Sequence, residues 1–367
     1  MASERREWKK RTYCADPNKK KENRAGRRIL LDLSVLRHPY FNYPAVLDPG
    51  IKVALLGPEA RTVYPEDGQD LYLAICDEMD QCPVRTFHRG LLTNAIDLKY
   101  YCVNPFGIRP MAIALQYNKN VTTLNLTDNF LNEDACFHLG EMLICNSTLH
   151  ELNLSGCRIG ALGGKLLFSG LTLNRKLRVL NLNKNEIGDA GLEYLANVIF
   201  HGISVLQILL SKNNITGKSL LSLAEALETH NKFTHIDLSR NNLYAPPNGL
   251  VNLLTQLGES KSLQELDLSW NSLSAIETLI GGLAKAKKLV TLNLSYNPMT
   301  PEDALIVLHK MKSNAVKVQN VLMENVFVNG AFLVLLDHIK AMKSKKNVSI
   351  IYVIIWPMIF EYFKTKH

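Results

Sequence analysis

LRVLNLNKN, residues 177–185, is the stretch whose reading decides the fold. Leu177, Leu180 and Leu182 are followed by Asn185, the pattern L-x-x-L-x-L-x-x-N. Working outward, the same nine-residue pattern recurs on both sides. Upstream stand VTTLNLTDN (121–129) and LHELNLSGC (149–157). Downstream stand VLQILLSKN (205–213), FTHIDLSRN (233–241), LQELDLSWN (263–271) and LVTLNLSYN (289–297). The terminal positions are spaced 28, 28, 28, 28, 30 and 26 residues apart. A hydrophobe follows each by two: Leu131, Ile159, Ile187, Ile215, Leu243, Leu273 and Met299. Self-similarity at a fixed period of this size is the mark of a repeat array.

Weaker copies flank the seven. Ile96, Leu98 and Val103 fit upstream, with Tyr101 in the asparagine slot. Val318, Val321, Met323 and Val328 fit downstream with Val326 in the slot, then Val348, Ile351 and Val353 with Trp356 there. About ten units result, the outer ones degenerate as capping repeats are.

Each position has a physical job. Leucines at alternate sites project to one face of a short strand and go inside. The Asn, or Cys157 in its place, sits where the chain turns and can bond backbone groups that otherwise lack partners. The second half of each unit is helical: GDAGLEYLANVIF, from Gly188, places Leu192, Leu195 and Ile199 on one stripe. Pro246-Pro247 suits a helix start, where missing N–H groups cost little. The expected fold is an α/β solenoid, a horseshoe with parallel strands on its concave face and helices on its convex face.

The units LRVLNLNKNEIGDAGLEYLANVI and LQELDLSWNSLSA resemble ribonuclease-inhibitor-type leucine-rich repeats, a type also found in NOD-like-receptor sensory domains. A narrower resemblance starts at YLAICDEMDQCPVRTFHRGL (72–91) and is to the animal leucine-rich-repeat-containing protein 74 family. It implies a fold and no activity. The chain has no G-x-x-x-x-G-K-[ST] motif, which excludes a complete NOD-like receptor.

Charge divides the chain. Of 42 Lys/Arg and 34 Asp/Glu, residues 1–28 hold 11 and 4, a net +7, and the remainder nets only +1. The domain reading is a disordered basic tail (1–28), a linker and N-terminal cap (29–92) with a short helix from Leu71 to Met79, and repeats over 93–367. Seven cysteines, none beyond Cys157, and an N-terminus without an apolar stretch predict a reducing compartment, cytoplasmic or nuclear. The apolar run VSIIYVIIWPMIF (348–360) is 13 residues long. That is short of the roughly 20 a spanning helix needs, so it reads as a last strand and no membrane partner is expected.

Catalysis is not expected. His235, Asp237 and Ser239 alternate on one strand, but Asp lies between the other two and the column recurs as Glu265, Asp267 and Ser269. That makes the trio generic, without the ordering of a nucleophilic triad. Cys102 and Cys157 read as small residues at or beside buried turns. His138, His201 and His309 show no metal-ligand spacing, so neither metal nor cofactor is expected. KKR (9–11), KKK (19–21) and RR (27–28) keep open an alternative in which the tail marks a nuclear or nucleic-acid-associated protein; nucleic-acid binding is the lesser expectation.

The function expected is that of a scaffold, a monomer binding another protein on its strand face. The column just before the slot reads Asp128, Gly156, Lys184, Lys212, Arg240, Trp270 and Tyr296. It is read as free of structural constraint, so its chemistry points to use, and Trp, Tyr and Arg dominate interface hot spots. The neighbouring column is Asn125, Asn153, Asn181, Leu209, Asp237, Asp267 and Asn293, an acidic border beside the aromatics. The candidate partner-binding residues are therefore Trp270, Tyr296, Arg240, Lys212, Lys184, Asp237 and Asp267.

Overall fold

The computed structural model describes residues 63–352 apart from 275, 284–285, 287, 313–317, 319 and 343–348. The basic tail, Val348 and the apolar segment from Val353 on lie outside the described residues. The described chain falls into two compact units: 63–65 with Asp70–Pro83, and Glu66–Gln69 with the chain from Val84 onward. Helix α1 (Gln69–Glu78) covers most of the span expected for a helix and buries Leu71, Tyr72, Ile75 and Cys76, one stripe at helical spacing.

The second unit opens with a short helix, α2 (Arg85–Gly90), inside the stretch read from sequence as linker and cap. Among the described residues ten short strands then alternate with helices. They are β1 (Ala95–Asp97), β2 (Thr123–Asn125), β3 (Glu151–Asn153), β4 (Val179–Asn181), β5 (Gln207–Leu209), β6 (His235–Asp237), β7 (Glu265–Asp267), β8 (Thr291–Asn293), β9 (Asn320–Met323) and β10 (Ser349–Tyr352). They form one parallel sheet in sequence order. From Ile108–Tyr117 to Gly330–Met342 each helix packs against the next. Paired strands lie about 4.8 Å apart, whereas packed helices need roughly 8–10 Å.

The core follows the repeat. Leu124, Leu152, Leu180, Leu266 and Leu292 pair as neighbours across the sheet, and all are buried, as are Leu182, Leu238 and Leu268. At the C-terminal end the pairing differs from the sequence reading: Ile350, not Ile351, lies opposite Val321. Two adjacent isoleucines carry no alternation, and a shift of one residue exchanges the two faces of a strand.

The asparagine slots form a ladder. Asn129, Asn185, Asn213, Asn241, Asn271 and Asn297 each donate through Nδ2 to a leucine carbonyl of the preceding repeat at 2.8–3.0 Å. Their Oδ1 atoms accept backbone N–H groups from that repeat, as Asn213 does from Asn185 and Ile187. Cys157 takes the same place, its Sγ 3.1 Å from the Leu126 carbonyl. Burial pushes the Cys157 thiol up to about 12, so it stays a neutral donor. Tyr101 occupies the first slot but is exposed, its hydroxyl 3.2 Å from Thr86 Oγ1. Cys102 is exposed rather than buried. It heads a column with Arg158, Glu186, Asn214 and Ser272, all left-handed in φ and turned outward.

A second ladder, which the sequence reading missed, runs where helices return to strands. Asn118, Asn146 and Asn174 are 28 residues apart, and their Nδ2 atoms donate to Leu91, Leu115 and Leu143 at 2.6–2.8 Å. The 28-residue spacing was the signal that could have found it.

Candidate functional site on the strand face

The column before the asparagine slot is not free of constraint, as the sequence suggested. Every member adopts a left-handed backbone: Tyr100, Asp128, Gly156, Lys184, Lys212, Arg240, Trp270, Tyr296 and Asn325 have φ between 50° and 72°. Backbone N–H groups pin the column repeat by repeat. Lys184 donates to Ser211, Lys212 to Ser239, Arg240 to Ser269, Trp270 to Ser295 and Tyr296 to Glu324, at 2.8–3.1 Å. For an L-residue the left-handed region costs roughly 1–2 kcal/mol; Gly is exempt and Asn and Asp are the usual exceptions. Gly156, Asp128 and Asn325 suit it. Tyr100, Trp270 and Tyr296 do not, since a bulky side chain there is an outlier.

Because successive column residues are held one strand apart, their side chains meet. The Trp270 and Tyr296 rings stack with centroids 4.4 Å apart and planes 9° from parallel. The Arg240 guanidinium lies 4.8 Å from the Trp270 ring centre. Both faces of the indole are thus occupied, yet Trp270 remains 44% exposed and Tyr296 37%. Lys184 and Lys212 continue the column as exposed cations. The structure therefore brings Arg240, Trp270 and Tyr296 into one stack.

Asp237 and Asp267 have a structural task that the sequence reading did not assign. Each accepts the N–H two residues on, Ser239 at 2.9 Å and Ser269 at 2.8 Å. Asn125, Asn153, Asn181 and Asn293 do the same at 3.0–3.1 Å. These are Asx turns, which end β2, β3, β4, β6, β7 and β8; Leu209, at the end of β5, cannot form one. Asn293 also donates Nδ2 to Asp267 Oδ2 at 2.8 Å. Burial raises Asp237 above the usual carboxylate range, outweighing its bonds from Ser239.

The alternating trio does not assemble. Ser239 Oγ bonds Ser211 Oγ at 2.8 Å, and His235 Nδ1 lies 2.8 Å from Thr234 Oγ1. The other His235 ring nitrogen lies 3.5 Å from Glu265. His138 and His309 lie within helices and His201 directly follows one. Among the described residues no His/Cys/Asp/Glu group could hold a metal ion, and no helix is long and apolar enough to cross a membrane.

Family profiles agree with the repeat. One Leucine Rich repeat profile matches residues 145–168, 173–196 and 285–305, and a second matches 262–283. Among solved structures, the leucine-rich repeat-containing protein LegL7 from Legionella pneumophila is similar over 71% of this chain and 83% of its own, at 20% identity and a TM-score of 0.47. Leiomodin-1 actin-binding site 2 is similar over 54% of this chain and 90% of its own, at 16% identity and a TM-score of 0.31. With a ten-stranded parallel sheet threaded in sequence order and a helix returning between strands, the chain is an α/β leucine-rich-repeat solenoid.

Proposed function

We propose that this solenoid is a non-catalytic scaffold that binds a protein partner on its strand face, through the Arg240–Trp270–Tyr296 stack. The observation that carries the reading is two large aromatics stacked ring on ring in adjacent repeats, at a position where the backbone favours Gly, Asn or Asp. Trp, Tyr and Arg are also the side chains that dominate interface energetics. Lys184 and Lys212 extend the contact surface along the column, and Asp237 and Asp267 border it. The fitting partner carries an apolar anchor that covers the exposed ring edges, with acceptors for Arg240. A monomer in the cytoplasm or nucleus is the form that fits this role. The 28-residue period with a full helix per unit supports the ribonuclease-inhibitor subtype. The alternative of a nucleic-acid-binding tail rests on residues outside the described part.

The test is titration calorimetry of a captured partner against the wild type and a Trp270→Gly variant, glycine being the residue this backbone favours. The expected loss is about 2 kcal/mol or more, the range of an interface hot spot. Unchanged affinity in a folded variant refutes the site.

A further inference from the structure

The asparagine ladder of the helix-to-strand loops breaks after Asn174. At the next two equivalent positions stand Gly202 and His230. Gly202 has φ +88°, and a Cβ on it would lie 3.0 Å from His230 Nε2, so the glycine makes room for the ring. At this break the surface opens into a cleft of about 590 Å³. Arg175, Arg178, His201, His230 and Lys232 line it, and no carboxylate does. Arg178 Nη1 donates to the Ser204 carbonyl at 2.8 Å, and Arg175 Nη1 reaches the Gly202 carbonyl at 3.5 Å. A guanidinium has five N–H donors, so each fork keeps donors to spare.

The charge is segregated and not diffuse. Residues 118–122, 146–150, 174–178, 201–206, 230–234 and 260–264 contain no Asp or Glu, yet carry Lys119, Arg175, Lys176, Arg178, Lys232 and Lys261. Outside the first 28 residues the chain is almost neutral; the nearest acidic residues in sequence, Glu151, Glu228, Glu259 and Glu265, lie just outside these loops. One opposing effect must be weighed. Helices Gly188–Phe200 and Leu220–Thr229 end at this cleft. Each helix C-terminus presents about half a negative charge. Together they offset about one of the three full charges on Arg175, Arg178 and Lys232, leaving the cleft cationic.

We propose that this cleft binds a ligand bearing two or more phosphoryl groups. Guanidinium forks match phosphate oxygens in geometry as well as charge. The volume falls in the range of small-molecule sites and exceeds what a single phosphate fills. The ligand is either a soluble polyphosphate or a phosphorylated lipid headgroup, since both offer the same recognised chemistry.

The test is thermal melting of the full-length protein in increasing inorganic pyrophosphate, against sodium chloride of matched ionic strength. Wild type is compared with an Arg175→Gln/Lys232→Gln variant; both side chains are exposed, so the unliganded melting temperature should not move. The wild type should show a saturable rise, and the variant a half-saturation at least about tenfold weaker, as loss of 1.4 kcal/mol gives. Because both proteins carry the basic tail, equal half-saturation would place the binding there and overturn the proposal, as would a rise no larger than the salt control. Should the double variant melt early, the single Lys232→Gln variant, expected to weaken binding at least threefold, replaces it. Flotation with phosphoinositide vesicles, run beside the soluble headgroup, separates the two sources. Variant-sensitive binding in either arm supports the cleft, and variant-insensitive binding in both refutes it.

Discussion

Replacing Asn213 with Ala removes a side chain that bonds the turn on both sides. Nδ2 donates to the Leu182 carbonyl at 2.8 Å, and Oδ1 accepts from Asn185 N at 3.0 Å and Ile187 N at 3.3 Å. Asn213 is fully buried, as are Leu182, Asn185 and Ile187. Each buried backbone group left without a partner costs about 1–3 kcal/mol. Three such groups give roughly 3 kcal/mol at the lower end of that range, the end that applies if water enters the space vacated. The assay is urea unfolding of wild type and variant, read by far-ultraviolet circular dichroism. In a repeat array the loss propagates to neighbours only through their shared interfaces, so the transition should also broaden. A loss below about 1 kcal/mol, with the transition unchanged, would refute the reasoning that these bonds are needed to close the turn.

Other outcomes follow from the same geometry. Trp270→Ala should cost about 1–2.5 kcal/mol in stability, the stack with Tyr296 plus the Arg240 contact, because Ala keeps the left-handed strain. Trp270→Gly should be about 1 kcal/mol more stable than Trp270→Ala, since glycine relieves that strain; thermal melts that rank Ala above Gly would contradict the strained column. In a thiol-labelling time course read by peptide mass spectrometry, Cys82, Cys102 and Cys145 should label in the native protein. Cys76, Cys136 and Cys157, pushed up to about 11, 12 and 12 mainly by burial, should label only on unfolding. Asp189 accepts from Thr216 N and Oγ1 and from Ser219 Oγ at 2.6–2.8 Å. Burial, the largest single influence, raises its pKa, but those bonds together hold it below the usual carboxylate range. A depressed native pKa contributes stability that is full above the unfolded value, about 3.9, and is lost as pH falls through the native one. Asp189→Ala should therefore destabilise at neutral pH, and the gap from wild type should close in denaturant titrations only below about pH 4.

The period, the inward leucines and the asparagine slot were legible because each repeats the same physical demand seven times. The pairing of Trp270 with Tyr296 was legible for the same reason: one slot in adjacent repeats puts two side chains a strand apart. What was not legible is that this slot is left-handed. Asp, Gly, Lys, Arg, Trp and Tyr share no side-chain property there, only a backbone angle. The recurring Asn or Asp at the end of most strands hid a structural role, an Asx turn. Adjacent Ile350 and Ile351 erased the alternation that would have fixed the last strand. The cationic cleft was invisible because its residues come from three loops that only the stacking of repeats brings together.

Photo-crosslinking tests most directly the claim that the strand face receives a protein. Tyr296→p-benzoylphenylalanine should form a covalent adduct with a cellular protein on irradiation, and the adduct should disappear when Trp270→Gly is added. The same photoreactive residue at Leu162, exposed on the helix side, should not form that adduct. An adduct at position 162 with none at 296 would contradict the account and move the interface to the helices.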